Sequence, residues 1–319
     1  LDTKYQISDV PDFEHSKSGG EWSELLRQAA RQLGSEPERL MRALAVGLNR
    51  RWPRAHFHPS PEVFLQLGGA SRFEGPQQRW ELPSGYVGLM PRGVPHAETP
   101  LDRTTTYEIL VACHARDGFT LVRARAVEVG ERYGRRITPF AIQFVRSERG
   151  RDAFRYVDEA ERSWCASGRH GGAGELSVDL IRVFLRVLAE EVERSGPREP
   201  RFSPVVETAR GIVRSHLADS RLSVSWLARA AGCSPDHLAR RFRMETGQTV
   251  VGWIAAERVA LAQRLLREEP GYRVAEVGWA CGFSQPSYFI KVFRERTGVT
   301  PLAWRRGELA ADGVGALPV

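Results

Sequence analysis

The stretch Val277-Gly-Trp-Ala-Cys-Gly-Phe-Ser284, followed by Ser287-Tyr-Phe-Ile-Lys-Val-Phe-Arg294 and Thr297-Gly-Val-Thr-Pro-Leu-Ala-Trp304, has a counterpart about 50 residues upstream. Ala231-Gly-Cys-Ser234 matches Cys281-Gly-Phe-Ser284, and Arg241-Phe-Arg243 matches Val292-Phe-Arg294. Thr246-Gly-Gln-Thr249 matches Thr297-Gly-Val-Thr300, with Trp253 and Trp304 in the same place after each. In the first copy Ser223 is a candidate N-cap for a short helix over 224–231, and Gly232 ends it. Ser234-Pro235 then opens a second helix, with proline where the missing N–H costs nothing. Helix, glycine turn, helix is the helix-turn-helix pattern, whose second helix can enter a major groove. Before it, 205–217 reads as a helix with Val206, Ile212 and Val213 apolar. Between the copies one long helix runs from Val250 to about Leu266, with Ile254, Val259, Leu261, Leu265 and Leu266 as core candidates. Two such units on a rigid spacer could place their second helices in successive major grooves, about 34 Å apart.

Over residues 205–306 the chain resembles the AraC/XylS family of bacterial regulators, with Val277 and Gly278 where that family has isoleucine and alanine, and Trp304 where it has tyrosine. The resemblance implies an all-α tandem helix-turn-helix domain on double-stranded DNA. The family's base-reading positions fall on Asp236, Ala239 and Arg240, and on Pro286, Ser287, Ile290 and Lys291. Arg240 and Lys291 can address guanine O6 and N7, and Asp236 can accept from cytosine N4. Asp236 could equally support the positive end of its helix dipole. Arg241, Arg243, Arg294 and Arg296 are assigned to phosphate or water.

Charge follows the same division. Residues 203–306 hold 16 Lys and Arg against 9 Asp and Glu, while residues 1–202 are nearly balanced at 30 against 28. A basic domain beside a neutral one points to a polyanionic partner. Apolar residues make up 42% and charged residues 27% of the 319, the proportions of a soluble globular chain. No run approaches the roughly 20 apolar residues of a membrane span. The first ten residues hold no signal-peptide core, and Leu1 in place of Met is expected to reflect a few trimmed residues. Cys113, Cys165, Cys233 and Cys281 form no CxxC pair, which fits reduced thiols in a cytoplasm.

The segment Ser195-Gly-Pro-Arg-Glu-Pro-Arg-Phe-Ser-Pro204 reads as an interdomain linker. Upstream, strand-like runs at 62–67, 79–82, 86–90, 106–114 and 121–127 predict a small β-barrel or jelly roll, preceded by an amphipathic helix over 22–33. His56-Phe-His58-Pro-Ser-Pro-Glu62 leads to Gly69, and Gly85 leads to Pro91-Arg-Gly93-Val-Pro-His96. His56 and His58 share a strand face at i and i+2. The pattern resembles the two motifs of the cupin family, with Arg50 and Pro100 as departures. The resemblance implies a divalent transition metal (Zn, Mn, Fe or Ni) on His56, His58, Glu62 and His96. A metal-free effector pocket and vestigial ligands remain open alternatives.

Residues 152–194 read as helical, and Val178, Ile181, Leu185, Leu188 and Val192 step by 3, 4, 3 and 4 as a coiled-coil seam would. They serve either a dimer or packing within the chain. The expected organisation is therefore multidomain α+β: an N-terminal arm (1–50), a cupin-like sensor (51–150), a helical dimerisation segment (151–195), a linker (196–204), the tandem domain (205–306) and a tail (307–319). The expected function is a cytoplasmic, homodimeric, non-enzymatic transcriptional regulator controlled by a small-molecule effector, a sugar being one candidate. RNA polymerase is a further candidate partner. Two rivals are a metal-dependent cupin enzyme with an appended DNA-binding domain, and an architectural binder without sequence preference.

Overall fold

The computed structural model describes residues 19–44, 58, 60–75, 78–101, 106–128, 135–166, 174–196, 202–220, 222–268 and 271–307. After helix α1 (Gly19–Ser35) come nine strands: β1 (Leu40–Arg42), β2 (Glu62–Gly68), β3 (Ala70–Glu74), β4 (Arg79–Pro83), β5 (Val87–Met90), β6 (Ala97–Pro100), β7 (Glu108–Ala115), β8 (Gly118–Glu128) and β9 (Arg135–Arg146). They form a six-stranded sheet in the order β1-β5-β2-β7-β8-β9 and a three-stranded sheet in the order β4-β3-β6. All ladders are antiparallel except β1 with β5.

The expected barrel does not close among the described residues. β6 approaches β9 without a ladder between them. Pro100 on β6 and Pro139 on β9 each lack the N–H that a ladder requires. The small sheet covers one half of the large sheet's inner face. Phe64, Phe73, Leu82, Met90, Tyr107 and Ile109 are buried in that core.

A layer of helices covers the outer face: α1, α2 (Glu148–Asp152), α3 (Phe154–Ala166) and α4 (Glu175–Ser195). Here the coiled-coil expectation is corrected. Val178, Ile181, Leu185, Leu188 and Val192 are at most 4% exposed and pack with Trp22, Leu26 and Leu33 of α1 and Trp164 of α3. A seam spaced by 3 and 4 covers one stripe of a helix whatever lies opposite, and here the chain itself supplies the partner. Polar ties fix the layer: Ser177 donates to the Ala160 carbonyl (3.0 Å) and Ser23 to Glu193 (3.0 Å). The opposite side of α4 carries Leu176, 58% exposed, half-buried Leu180 and Val183, 42% exposed.

The C-terminal part is all α: α5 (Pro204–His216), α6 (Val224–Ala230), α7 (Pro235–Thr246), α8 (Val250–Glu268), α9 (Val274–Ala280), α10 (Pro286–Thr297) and α11 (Pro301–Arg305). The repeat is also a repeat of structure. Thr246 donates to the Phe242 carbonyl (2.6 Å), and Thr297 to that of Phe293 (2.8 Å). Gly232 and Gly282 sit in the two turns at φ 66° and 85°, a region that a Cβ makes costly. Each unit has its own apolar core, and α8 contributes to both.

The first unit also meets the sheet. Ile142 of β9 packs into its core, and the Arg214 guanidinium lies over the Phe144 ring at 3.8 Å. Since Leu185 is fully buried within one chain, Leu185→Ala should lower unfolding stability by about 2–5 kcal/mol in a urea titration. Sedimentation of the folded variant should give an unchanged mass; a lower mass would restore the seam as an interface.

Candidate nucleic-acid interface and candidate metal centre

On α7 the buried stripe is Leu238 and Phe242, both 0% exposed, so Asp236, Ala239, Arg240 and Arg243 face solvent. Ser234 caps the helix by accepting from the His237 N–H (3.2 Å). On α10 Phe289, Val292 and Phe293 are buried. Ser287, Ile290 and Lys291 are exposed and line an open concavity with Arg294 and Glu295. Pro286 is half-buried in the first turn.

The arginines divide. Arg240, Arg243 and Arg294 are exposed and make no ion pair or side-chain hydrogen bond among the described residues. Arg241 is paired with Glu245 (2.7 Å), and Arg296 donates to the Gly252 carbonyl (2.8 Å), so both have structural duties that the spacing did not reveal.

In the sheet domain, Glu62 opens β2, His96 directly precedes β6, and His58 lies just upstream of β2. His58 Nδ1 is 3.2 Å from Glu62 Oε1, and His96 Nε2 is 3.8 Å from Glu62 Oε2. One ligand atom from each lies within 4.8 Å of the others. His96 Nδ1 donates to the Val94 carbonyl (2.9 Å), which leaves its Nε2 lone pair facing Glu62. The Gly93 N–H donates to the His58 carbonyl (2.8 Å), tying the two motifs together. His56 lies outside the described residues.

Three features of this interior were not anticipated. The Cys113 thiol, opposite Glu62 in the ladder, donates to Glu62 Oε1 (3.2 Å). Ser71 donates to Glu98 (2.9 Å), and the Tyr107 hydroxyl also donates to Glu98. Gln66 Oε1 lies 2.7 Å from the Ser71 hydroxyl as the alternative acceptor for its single hydrogen, completing a polar cluster on the same inner face. Only the two-residue alternation of β2, which puts Gln66 on the face of Glu62, could have hinted at it.

Residues 227–307 match a helix-turn-helix domain family. The arabinose operon regulatory protein of Escherichia coli (strain K12) is 30% identical over 132 residues, 41% of this chain and 44% of that protein. The HTH-type transcriptional activator RhaR of Salmonella heidelberg (strain SL476) is 40% identical over 73 residues, 23% of this chain and 26% of that protein. The C-terminal third contains a helix-turn-helix domain. The chain spans less than half the length of these relatives, which are transcriptional regulators and not enzymes. The crystal structure of the DNA-binding domain of AdpA with a target DNA is 36% identical, covering 33% of this chain and 91% of that one, with a TM-score of 0.31. No helix among the described residues is long and apolar enough to cross a membrane.

The His58–Glu62–His96 cluster has a definite electrostatic character. Burial pushes the Glu62 carboxyl up to about 8, the Cys113 hydrogen bond opposing and the Glu98 charge assisting. Burial also takes His96 down to about 4, against the Val94 hydrogen bond. It holds His58 well below the usual imidazole value, helped by the charges of His96 and His216. Neutral imidazoles offer lone pairs, and a carboxylate short of positive charge is stabilised by a cation. This donor set therefore fits a divalent transition metal. In metal-free protein Glu62 binds its proton more tightly when folded. Its contribution to stability is complete below pH 4.5 and is lost as pH rises through about 8. The melting temperature of chelator-treated protein should therefore fall between pH 5 and 8 relative to Glu62→Gln, in parallel thermal scans. Equal slopes would remove the buried-carboxyl assignment.

Proposed function

We propose that this protein is a sequence-specific DNA-binding transcriptional regulator of the AraC type, controlled by a small molecule or metal in a cupin-like sensor. One observation carries the DNA-reading part: two recognition helices on matching frames expose different side chains. Asp236, Ala239 and Arg240 face out from α7, and Ser287, Ile290 and Lys291 from α10. Such a pair reads two different base sequences, whereas an architectural binder needs only charge. Arg240→Ala and Lys291→Ala should each cost about 1–3 kcal/mol on a site selected from random DNA and relax specificity at different positions. Arg243→Ala should weaken all sequences alike and flatten the salt dependence. Equal losses on selected and random DNA for the first two would refute base reading by these residues.

The proposed ligand set is His58, Glu62 and His96, with His56 as the fourth. When bound, a divalent transition metal supplies positive charge and open coordination positions for an effector oxygen. Glu62 would hold the metal as a carboxylate, its proton released to water on binding, and Val94 and Gly93 hold His96 and the His58 segment in place. The arabinose operon named in one relative makes a sugar the first effector to assay. A cytoplasmic location and contact with RNA polymerase belong to the same reading.

The proposed homodimer uses the outward stripe of α4. Leu176, Leu180 and Val183 step by 4 and 3 on the side away from the buried seam, and Val187, buried in the core, bounds the stripe. Charges commit the occupant to a second copy running antiparallel. With Leu180 against Val183, Arg186 of the partner subunit falls between Glu175 and Asp179, and a parallel pair lacks that match. Leu176→Asp with Val183→Asp should convert dimer to monomer in sedimentation at unchanged helicity, and a persisting dimer would move the interface elsewhere.

A further inference from the structure

The ladder row Glu62–Cys113–Thr120–Phe144 crosses four strands on one face of the six-stranded sheet. A candidate metal ligand stands at one end. At the other, Arg214 of the AraC-type domain rests on the Phe144 ring. The neighbouring row, Phe64–Val111–Val122–Ile142, ends against the same helix. The half of the inner face left bare by the three-stranded sheet is thus covered by α5.

Two independent features mark this contact as specific. Gly211 stands in the middle of α5, where glycine weakens a helix relative to alanine, and a Cβ there would lie 2.6 Å from the Ile142 side chain. The residue is explained by the close approach of the sheet. Arg264 on α8 donates to the Ser60 hydroxyl (3.3 Å), two residues from His58. The DNA-binding domain therefore helps hold the segment that carries His58.

The same contact is poorly satisfied. The Thr120 hydroxyl and Arg214 Nη1 are buried without a protein hydrogen-bond partner. Arg214 meets like charge from Arg210, balanced by Glu257, Glu207 and Asp117. Unsatisfied polar atoms disfavour the closed arrangement, so closure needs support from elsewhere. α7 and α10 keep their base-reading faces exposed while α5 is docked.

We propose that α5 and the β8–β9 face form an interdomain latch whose closed state completes the wall of the His58–Glu62–His96 site, so that metal occupancy and domain docking favour one another. The proposal rests on the metal reading given above. Coupling of this kind is reciprocal: whatever tightens metal binding on docking must tighten docking on metal binding by the same factor. Closing the latch sets the orientation in which the two recognition helices meet DNA relative to the sensor.

The test uses full-length protein, zinc as the probe and hydrogen exchange as an independent readout. Gly211→Leu favours the helix while blocking the approach of Ile142. It should speed exchange in 204–216 and 135–146 and raise the zinc dissociation constant at least fivefold, the lower end of ordinary allosteric coupling. In wild type, zinc should slow exchange in 204–216, and His96→Ala should abolish that protection. Should Gly211→Leu fail to fold, Phe144→Ala loosens the same contact from the sheet side. Unchanged exchange in the variant, or faster exchange with a zinc constant within twofold of wild type, overturns the latch alone. Absence of zinc binding by wild type overturns the metal reading and the latch with it.

Discussion

Strands β2, β7 and β8 carry apolar side chains toward both faces of the six-stranded sheet, so water must be excluded from both sides at once. The outer face takes a layer of four helices, and α4 gives up its strongest apolar stripe to build it. The inner face is harder to cover. The three-stranded sheet is too narrow and too rich in edge prolines to close a barrel, and α5 of the C-terminal helical domain occupies the remainder. Covering one sheet thus joins the sheet domain to the helix-turn-helix domain.

That arrangement sets the chemistry of the interior. Between the sheets lie a carboxylate, two imidazoles, a thiol and a second carboxylate held by Ser71 and Tyr107. Each is expensive to bury as an ion, which is why Glu62 keeps its proton to about 8 and His96 stays neutral down to about 4. A cation relieves the first cost and uses the lone pairs that the second provides. The electrostatics of the cluster and its ladder to β9 belong to one object, because cross-strand partners share a face.

The C-terminal domain was legible almost residue by residue. Leu238, Phe242, Phe289 and Phe293 are buried where helical periodicity puts them, and Ser223 caps its helix. Local signals suffice there because the contacts are short-range in sequence. The meeting of His58, Glu62 and His96 was legible from spacing as well, but not Cys113, Glu98, Tyr107 or Ser71, which meet only through ladders spanning up to 51 residues. β9 escaped notice because Arg135, Arg136 and Pro139 mask its pattern.

The seam of α4 marks the boundary between the two kinds of knowledge. Periodicity determines that Val178, Ile181, Leu185, Leu188 and Val192 lie on one stripe, and that the stripe must be covered. What covers it is decided by competition between α1 and α3 of the same chain and a second copy, and the tethered helices occupy it. Gly211 works the same way. By itself the sequence determined two helix-turn-helix units, a basic domain and a chelating spacing, since each depends on residues a few turns apart. Tertiary structure decided which apolar faces meet, because hydrophobic burial is non-directional and any matching surface within reach can satisfy it.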